Sequence, residues 1–328
     1  MRIMANHSFW PRLIRRTTAA GLLALPAILL AQAPGPGAAA GPNRGKPEDA
    51  FISSDKDART YNKRDFNGLW SRNPQTYGLP ACQECRDPGP WPGNGYGFHG
   101  TPPPRTTEGE KRLMASKPGR GLELGSEEAK RRTDLDIGMR RAVLPAFGND
   151  PEARCEPLGL ARLITFSGGG ATMEMIHSPA NDRIIQRFEW TWDNREIWMD
   201  GRKTPNIDDY LPRYNGYSTA KWEGDTLVVT STGFDDRQWL DQYGYPISDH
   251  AVLEERWDRP SPNRLRVQLT LTDPAMYTQP WKSSLKVWGL IPKEKMAVAG
   301  WSGILEDRCV PSDESYFNKF RDHAAGKK

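Results

Sequence analysis

The sequence predicts a mainly β protein, an antiparallel up-and-down β-barrel behind an irregular, partly helical N-terminal extension. Three observations carry this. Leu265, Val267, Leu269 and Leu271 alternate with Arg266, Gln268 and Thr270, the period of a half-buried antiparallel strand. Asp193-Asn194 and Glu223-Gly224-Asp225 read as tight turns between neighbouring strands. No helical segments separate the strands after about residue 154, which disfavours parallel βαβ folds, and closure into a barrel removes exposed edges.

Taken in order, residues 1–40 read as a signal peptide. Arg15-Arg16 precede a 12-residue apolar run, Ala19 to Leu30, which is too short to span a bilayer, and Ala38-Ala39-Ala40 offers a cleavage site before Gly41. These residues hold Arg2, Arg12, Arg15 and Arg16 and no Asp, Glu or Lys. Removing those four from the 45 basic residues leaves 41 against 41 acidic ones, so the net charge of +4 belongs to the leader. A balanced remainder argues against a nucleic-acid partner held by counterion release. No later stretch is apolar enough for a membrane helix, and a periplasmic or secreted location is expected. The sequence leaves the oligomeric state undetermined.

Residues 41–150 form the extension, with Pro/Gly clusters at 88–93 and 101–104 and a first strand near 66–70. The pattern Thr107-x-x-Glu110 predicts a helix start, and Ser126 to Ala142 a second helix. The barrel is expected over 151–310, from strands at 160–166, 172–177, 183–192, 195–199, 217–222, 226–232, 251–257, 264–271, 283–289 and 295–301. Ser312 caps an expected helical tail over 311–328.

In a strict meander, alternate connections share an end. The links 193–194, 223–225, 258–263 and 290–294 are short, whereas 178–182, 200–216, 233–250 and 272–282 are mostly long. The long-loop end is therefore the expected mouth, because function concentrates on loops carried by a rigid scaffold.

Several motifs resemble known proteins. Phe66-Asn67-Gly68-Leu69-Trp70 is similar to the G-x-W opening of lipocalins and other calycin barrels. Ile197-Trp198-Met199-Asp200-Gly201-Arg202, Trp222-Glu223-Gly224-Asp225-Thr226-Leu227-Val228-Val229, Glu255-Arg256 and Thr272-Asp273-Pro274 resemble a family of exported bacterial proteins of unknown function, over roughly residues 65–310. The resemblance implies a calycin-like barrel and no particular activity. Thr204, Tyr245 and Ile247 stand where that family commonly has histidines, and Thr230 where it has an acid. No metal or proton-transfer role is carried over to those positions.

Cys82 and Cys85 have C-x-x-C spacing, but Asp87-Pro88 follows where a redox motif needs a helix. In an oxidising compartment the pairing 82–85 with 155–309 is favoured over a metal site, which would need Cys155 and Cys309 close in sequence. No metal or other cofactor is expected. There is no P-loop, dinucleotide fingerprint, H-E-x-x-H or G-x-S-x-G.

The candidate site gathers at the mouth. Asp200, Arg202, Trp239, Tyr243, Arg256, Tyr277 and Trp281 are ligand-binding candidates, the aromatics to stack on a flat or sugar-like molecule and the arginines to hold negative charge. His177, His250, Glu255 and Asp273 are the acid–base candidates. Leu253, Glu255 and Trp257 share a face; if it is the interior, Glu255 needs a cation such as Arg187 or Arg202, and a buried ion pair and a general base are equally open. The expected function is binding of a small amphipathic or aromatic molecule. The alternative is a cofactor-independent lyase, isomerase or hydrolase at the same mouth. A third reading, an envelope interaction module using 71–106, rests on composition.

Overall fold

Among the described residues, ten strands form one sheet that closes on itself. The computed structural model describes residues 59–79, 82, 84–85, 97–116, 150–165, 171–205, 208, 210–296, 304 and 309–310. The expected signal peptide, the helix at 126–142, most of the strand at 295–301 and the helical tail lie outside the described residues. The strands are β1 (Gly68–Ser71), β2 (Thr172–Ser178), β3 (Arg183–Phe188), β4 (Asn194–Trp198), β5 (Tyr217–Glu223), β6 (Thr226–Thr232), β7 (Val252–Ser261), β8 (Arg264–Thr272), β9 (Trp281–Lys282) and β10 (Lys286–Leu290). Neighbours follow chain order from β1 to β9, and β10 pairs with both β8 and β1. Because β9 and β10 lie along one edge of β8, they fill a single place in the wall, giving a closed nine-strand barrel.

The closure is consistent with the calycin-like barrel that the resemblance implies. Its direction is not wholly antiparallel. β4 and β5 run parallel, joined only through Ile197 opposite Ser218 and Trp198 opposite Thr219. Parity requires such a pair: directions that alternate cannot close a ring of nine. The expected up-and-down meander is corrected here.

That correction relocates the loops. From β4 the chain must cross the barrel's length before β5 starts, so connections on either side of the crossing exchange ends. The turns 179–182, 224–225 and 262–263 share one end, the turn end. The loops 233–251 and 273–280 share the other with the 189–193 connection. The sequence-predicted mouth had placed 178–182 and 200–216 beside 233–250.

The long-loop end is plugged. Residues 160–165, expected as a strand, form a helix, α2 (Leu160–Thr165), following α1 (Thr107–Ser116). All six residues of α2 are buried, and an apolar run buried on every side carries no period that separates helix from strand. Leu160, Leu163 and Ile164 join Phe98, Leu113, Leu240, Tyr243, Tyr245, Tyr277 and Trp281 in the core that fills the barrel. α1 begins one residue from its expected cap: the Thr106 hydroxyl accepts from the Gly109 amide at 3.0 Å, and a Cβ at Gly109 would meet the Met276 carbonyl at 2.1 Å. A helix this close to loop 273–280 needs glycine there.

The G-x-W segment forms β1, so the barrel draws a strand from the expected extension and is not confined to 151–310. Trp70 is fully buried and its indole Nε1 donates to the Phe66 carbonyl at 2.9 Å. The Arg259 guanidinium sits 5.3 Å from its ring and donates to the carbonyls of Asp65 and Pro262, which covers the turn end. Leu265, Val267, Leu269 and Leu271 all point into the core, as their alternation predicts. The expected strand 183–192 stops at Phe188. Thr191 and Trp192, at φ 60° and 51°, bend the chain into a five-residue connection where a two-residue turn was expected. Two successive non-glycine residues in the left-handed region store backbone strain.

Both expected disulfides form, Cys82–Cys85 and Cys155–Cys309. Among the described residues no helix is long and apolar enough to cross a membrane.

Candidate functional site

The acid–base candidates do not meet. Glu255 is buried in the middle of the barrel, where it takes a bidentate pair of hydrogen bonds from Arg195 on β4, at 2.7 and 2.6 Å. The Trp257 indole donates to the same carboxylate at 2.8 Å. Arg195 also donates to Gln186 Oε1 at 2.7 Å and Ser218 Oγ at 3.3 Å, and Ser218 bonds Ser231 at 2.8 Å. Glu255 therefore has the buried partner it needs, but from neither residue expected. Arg187 pairs with Glu174 and Arg202 with Asp200. Arg195 was the residue missed, although alternation places it on the inward face with Ile197.

Asp273 is also buried and fully engaged: the Ser248 amide and hydroxyl donate to its two oxygens at 2.7 and 2.8 Å, tying loop 233–251 to loop 273–280. His250 follows Ser248 by two residues, but its side chain is 65% exposed and 3.8 Å from Asp249. His177 is at the turn end, half-buried, with its backbone amide bonded to Asn67 at 2.7 Å. The four groups form no common acid–base constellation.

The ligand-binding candidates divide as well. Tyr243, Tyr277 and Trp281 are core residues. The Tyr277 hydroxyl donates to the Pro246 carbonyl at 2.8 Å, and burial, with the nearby Asp241 and Asp273 charges, holds its pKa well above the ordinary value. Trp281 donates to the His99 carbonyl at 2.8 Å and packs edge-to-face against Phe98, Tyr245 and Tyr277. Arg256 lies on the outer face, paired with Glu223 at 2.9 Å. Trp239 alone of the four aromatics is half-exposed, and it lines a cleft of about 460 Å³ beside Arg112, Gln238 and Pro246.

A larger cleft, about 670 Å³, lies along the parallel junction of β4 and β5. Two paired positions hold that junction; nearer the plug end, the Asn215 amide bridges to the Asn194 carbonyl at 3.3 Å. The crossing segment between the strands supplies Arg202, Lys203, Pro205, Tyr210, Arg213 and Tyr214, while Trp198, Tyr217 and Thr219 come from the strands. Arg195 and Ser218 line it too, so the cleft adjoins the buried network around Glu255. Of the expected site residues, it keeps Arg202, whose guanidinium stacks 3.7 Å from the Trp198 ring. Asp200 pairs with Arg202 at 2.6 Å, and that hydrogen bond holds the Asp200 carboxyl below its ordinary pKa. Tyr214 donates to Glu156 at 3.1 Å; burial first, then that bond, pushes its pKa up to about 12.

Asp193, at the plug-end limit of this cleft, follows the strained Thr191 and Trp192. Burial raises its pKa above the ordinary value, against hydrogen bonds from Asn215 and Thr191 that lower it. The folded state then holds a proton that the unfolded chain has already released. Stability should fall as pH rises from the ordinary aspartate value through the raised one. Thermal melts across that acidic window should show this slope flattened in Asp193→Asn; an unchanged slope would refute the assignment.

Among the described residues no three His, Cys, Asp or Glu side chains gather into a set able to hold a metal ion. No protein-family model, curated protein or solved structure matches the chain.

Proposed function

We propose that this is an exported binding protein that takes a small amphipathic or aromatic molecule in the cleft along the β4–β5 junction. The observation that carries the reading is the cleft itself: about 670 Å³, within the range of small-molecule sites, along the one parallel strand pair among the described strands, which two residue pairs hold. The barrel interior and its long-loop end are filled by protein. Trp70, Trp257 and Trp288 fill the interior around the Arg195–Glu255 pair, and the long-loop end is plugged by core aromatics. Trp198, Tyr210, Tyr214 and Tyr217 give the cleft ring surface, and Asn194, Asn215 and Thr219 give it hydrogen-bonding edges. Two disulfides and the apolar, arginine-led first 40 residues support export.

Titration with the uncharged fluorophore N-phenyl-1-naphthylamine tests this. Saturable fluorescence enhancement is expected, with Tyr217→Ala weakening it about 2–10-fold, the worth of one aromatic contact. Absence of saturable binding, or binding untouched by Tyr217→Ala and Trp198→Ala alike, would remove the site.

A further inference from the structure

We infer that the ligand of the β4–β5 cleft carries an anionic group, recognised by Lys203 and Arg213. The inference rests on the binding reading above and narrows its ligand to a flat or aromatic anion such as a carboxylate or sulfonate.

The argument begins with how this protein uses its charges. Beyond residue 40 basic and acidic residues balance at 41 each, and carboxylates meet arginines across the molecule: Arg112 with Glu108 and Asp236, Arg162 with Asp150, Arg237 with Asp235, Arg266 with Asp258. The same holds for most charges lining the cleft. Arg195 is neutralised by Glu255, Arg202 by Asp200, and Glu196 by Arg183. Lys203 and Arg213 are the exceptions. Both line the cleft, both are exposed, and neither has a carboxylate partner among the described residues. The carboxyl left over is Asp193, and its burial favours the neutral form.

Arg213 is placed rather than loose. Its amide donates to the Gly233 carbonyl at 2.9 Å, and its own carbonyl accepts from Gly216 at 3.1 Å and Asp235 at 3.0 Å. Its guanidinium lies 4.5 Å from the Tyr217 ring, in cation–π contact that leaves its N–H edges available to an acceptor. Tyr217 in turn meets Tyr210 edge-to-face at 5.6 Å. Rings beside unneutralised cations suit a molecule with an apolar plane and a negative head, because charge-assisted hydrogen bonds are the strong ones.

Two near-isosteric probes separate this inference from its premise. The anionic 8-anilinonaphthalene-1-sulfonate is expected to bind roughly tenfold more tightly than uncharged N-phenyl-1-naphthylamine in low salt. That advantage should shrink as ionic strength rises. The K203Q/R213Q double variant should erase the sulfonate's advantage, bringing the ratio of the two affinities to about one, and circular dichroism of the variant reports an intact fold. Equal affinities in the native protein, or sulfonate binding indifferent to the double variant, would overturn the anionic inference and leave the binding site standing. Failure of both probes to bind would bring down the binding reading and this inference with it.

Discussion

Glu255→Ala should destabilise the protein by about 3–5 kcal/mol, the cost of removing one partner from a buried ion pair. The carboxylate is fully buried and its oxygens accept from Arg195 and Trp257. Truncation leaves the Arg195 guanidinium inside the barrel with only Gln186 and Ser218 as hydrogen-bond partners. It also leaves the Trp257 indole without its acceptor. The energetic weight lies in the stranded charge and not in the pair, because two desolvated ions return little more than they cost to bury. Arg195→Met with Glu255→Leu should therefore recover most of the loss. Thermal unfolding followed by circular dichroism should show Glu255→Ala melting on the order of 10 °C below the native protein, with the double variant close to it. A shift of only a degree or two in the single variant would mean that water reaches the pair, and would reopen a proton-transfer role for Glu255.

The same residue shows how far the sequence could be read. Alternation along Val252–Ser261 placed Leu253, Glu255 and Trp257 on one face, and Glu255 needed a cation because a lone buried charge is prohibitive. Those steps rest on local geometry, which every strand repeats. Alternation sets Arg195 inward with Ile197, and Arg187 outward between Gln186 and Phe188, but which inward carboxylate Arg195 meets across the barrel depends on β4 running parallel to β5. The connection from Trp198 to Tyr217 is long enough for a crossover, which takes a dozen or more residues. Length alone does not decide: the comparable stretch between Thr232 and Val252 joins antiparallel strands. One misplaced direction then moved His177, Asp200 and Arg202 to the wrong end together. Tyr243, Tyr277 and Trp281 were misread for another reason. A long loop folded over a barrel's end is buried like core, and its aromatics look the same in sequence as those of an open mouth.

Removing the Cys155–Cys309 bond should cost the protein about 2–5 kcal/mol, whereas removing Cys82–Cys85 should cost less. In the chain-entropy picture a cross-link acts on the unfolded state, and its effect grows with the logarithm of the loop it closes. The first bond is separated by 154 residues and the second by 3. The long loop contains β2 to β10, so nine of the ten strands lie between its cysteines. Cys155 ends a short turn whose Asp150 is held by the buried Arg162 of α2, at 2.8 and 3.0 Å. The bond thus ties Cys309, beyond β10 in the chain, to the turn held against α2. Paired Cys155→Ala and Cys309→Ala substitutions, compared with Cys82→Ala and Cys85→Ala in urea titrations, measure the difference. The long-range pair should lower the midpoint more. Its slope should also rise, since the unfolded chain, no longer cross-linked, exposes more surface. Equal losses from the two pairs would contradict the entropic account. A larger loss from the 82–85 pair would place the constraint in the packing of Cys82, Cys85 and Val287 instead.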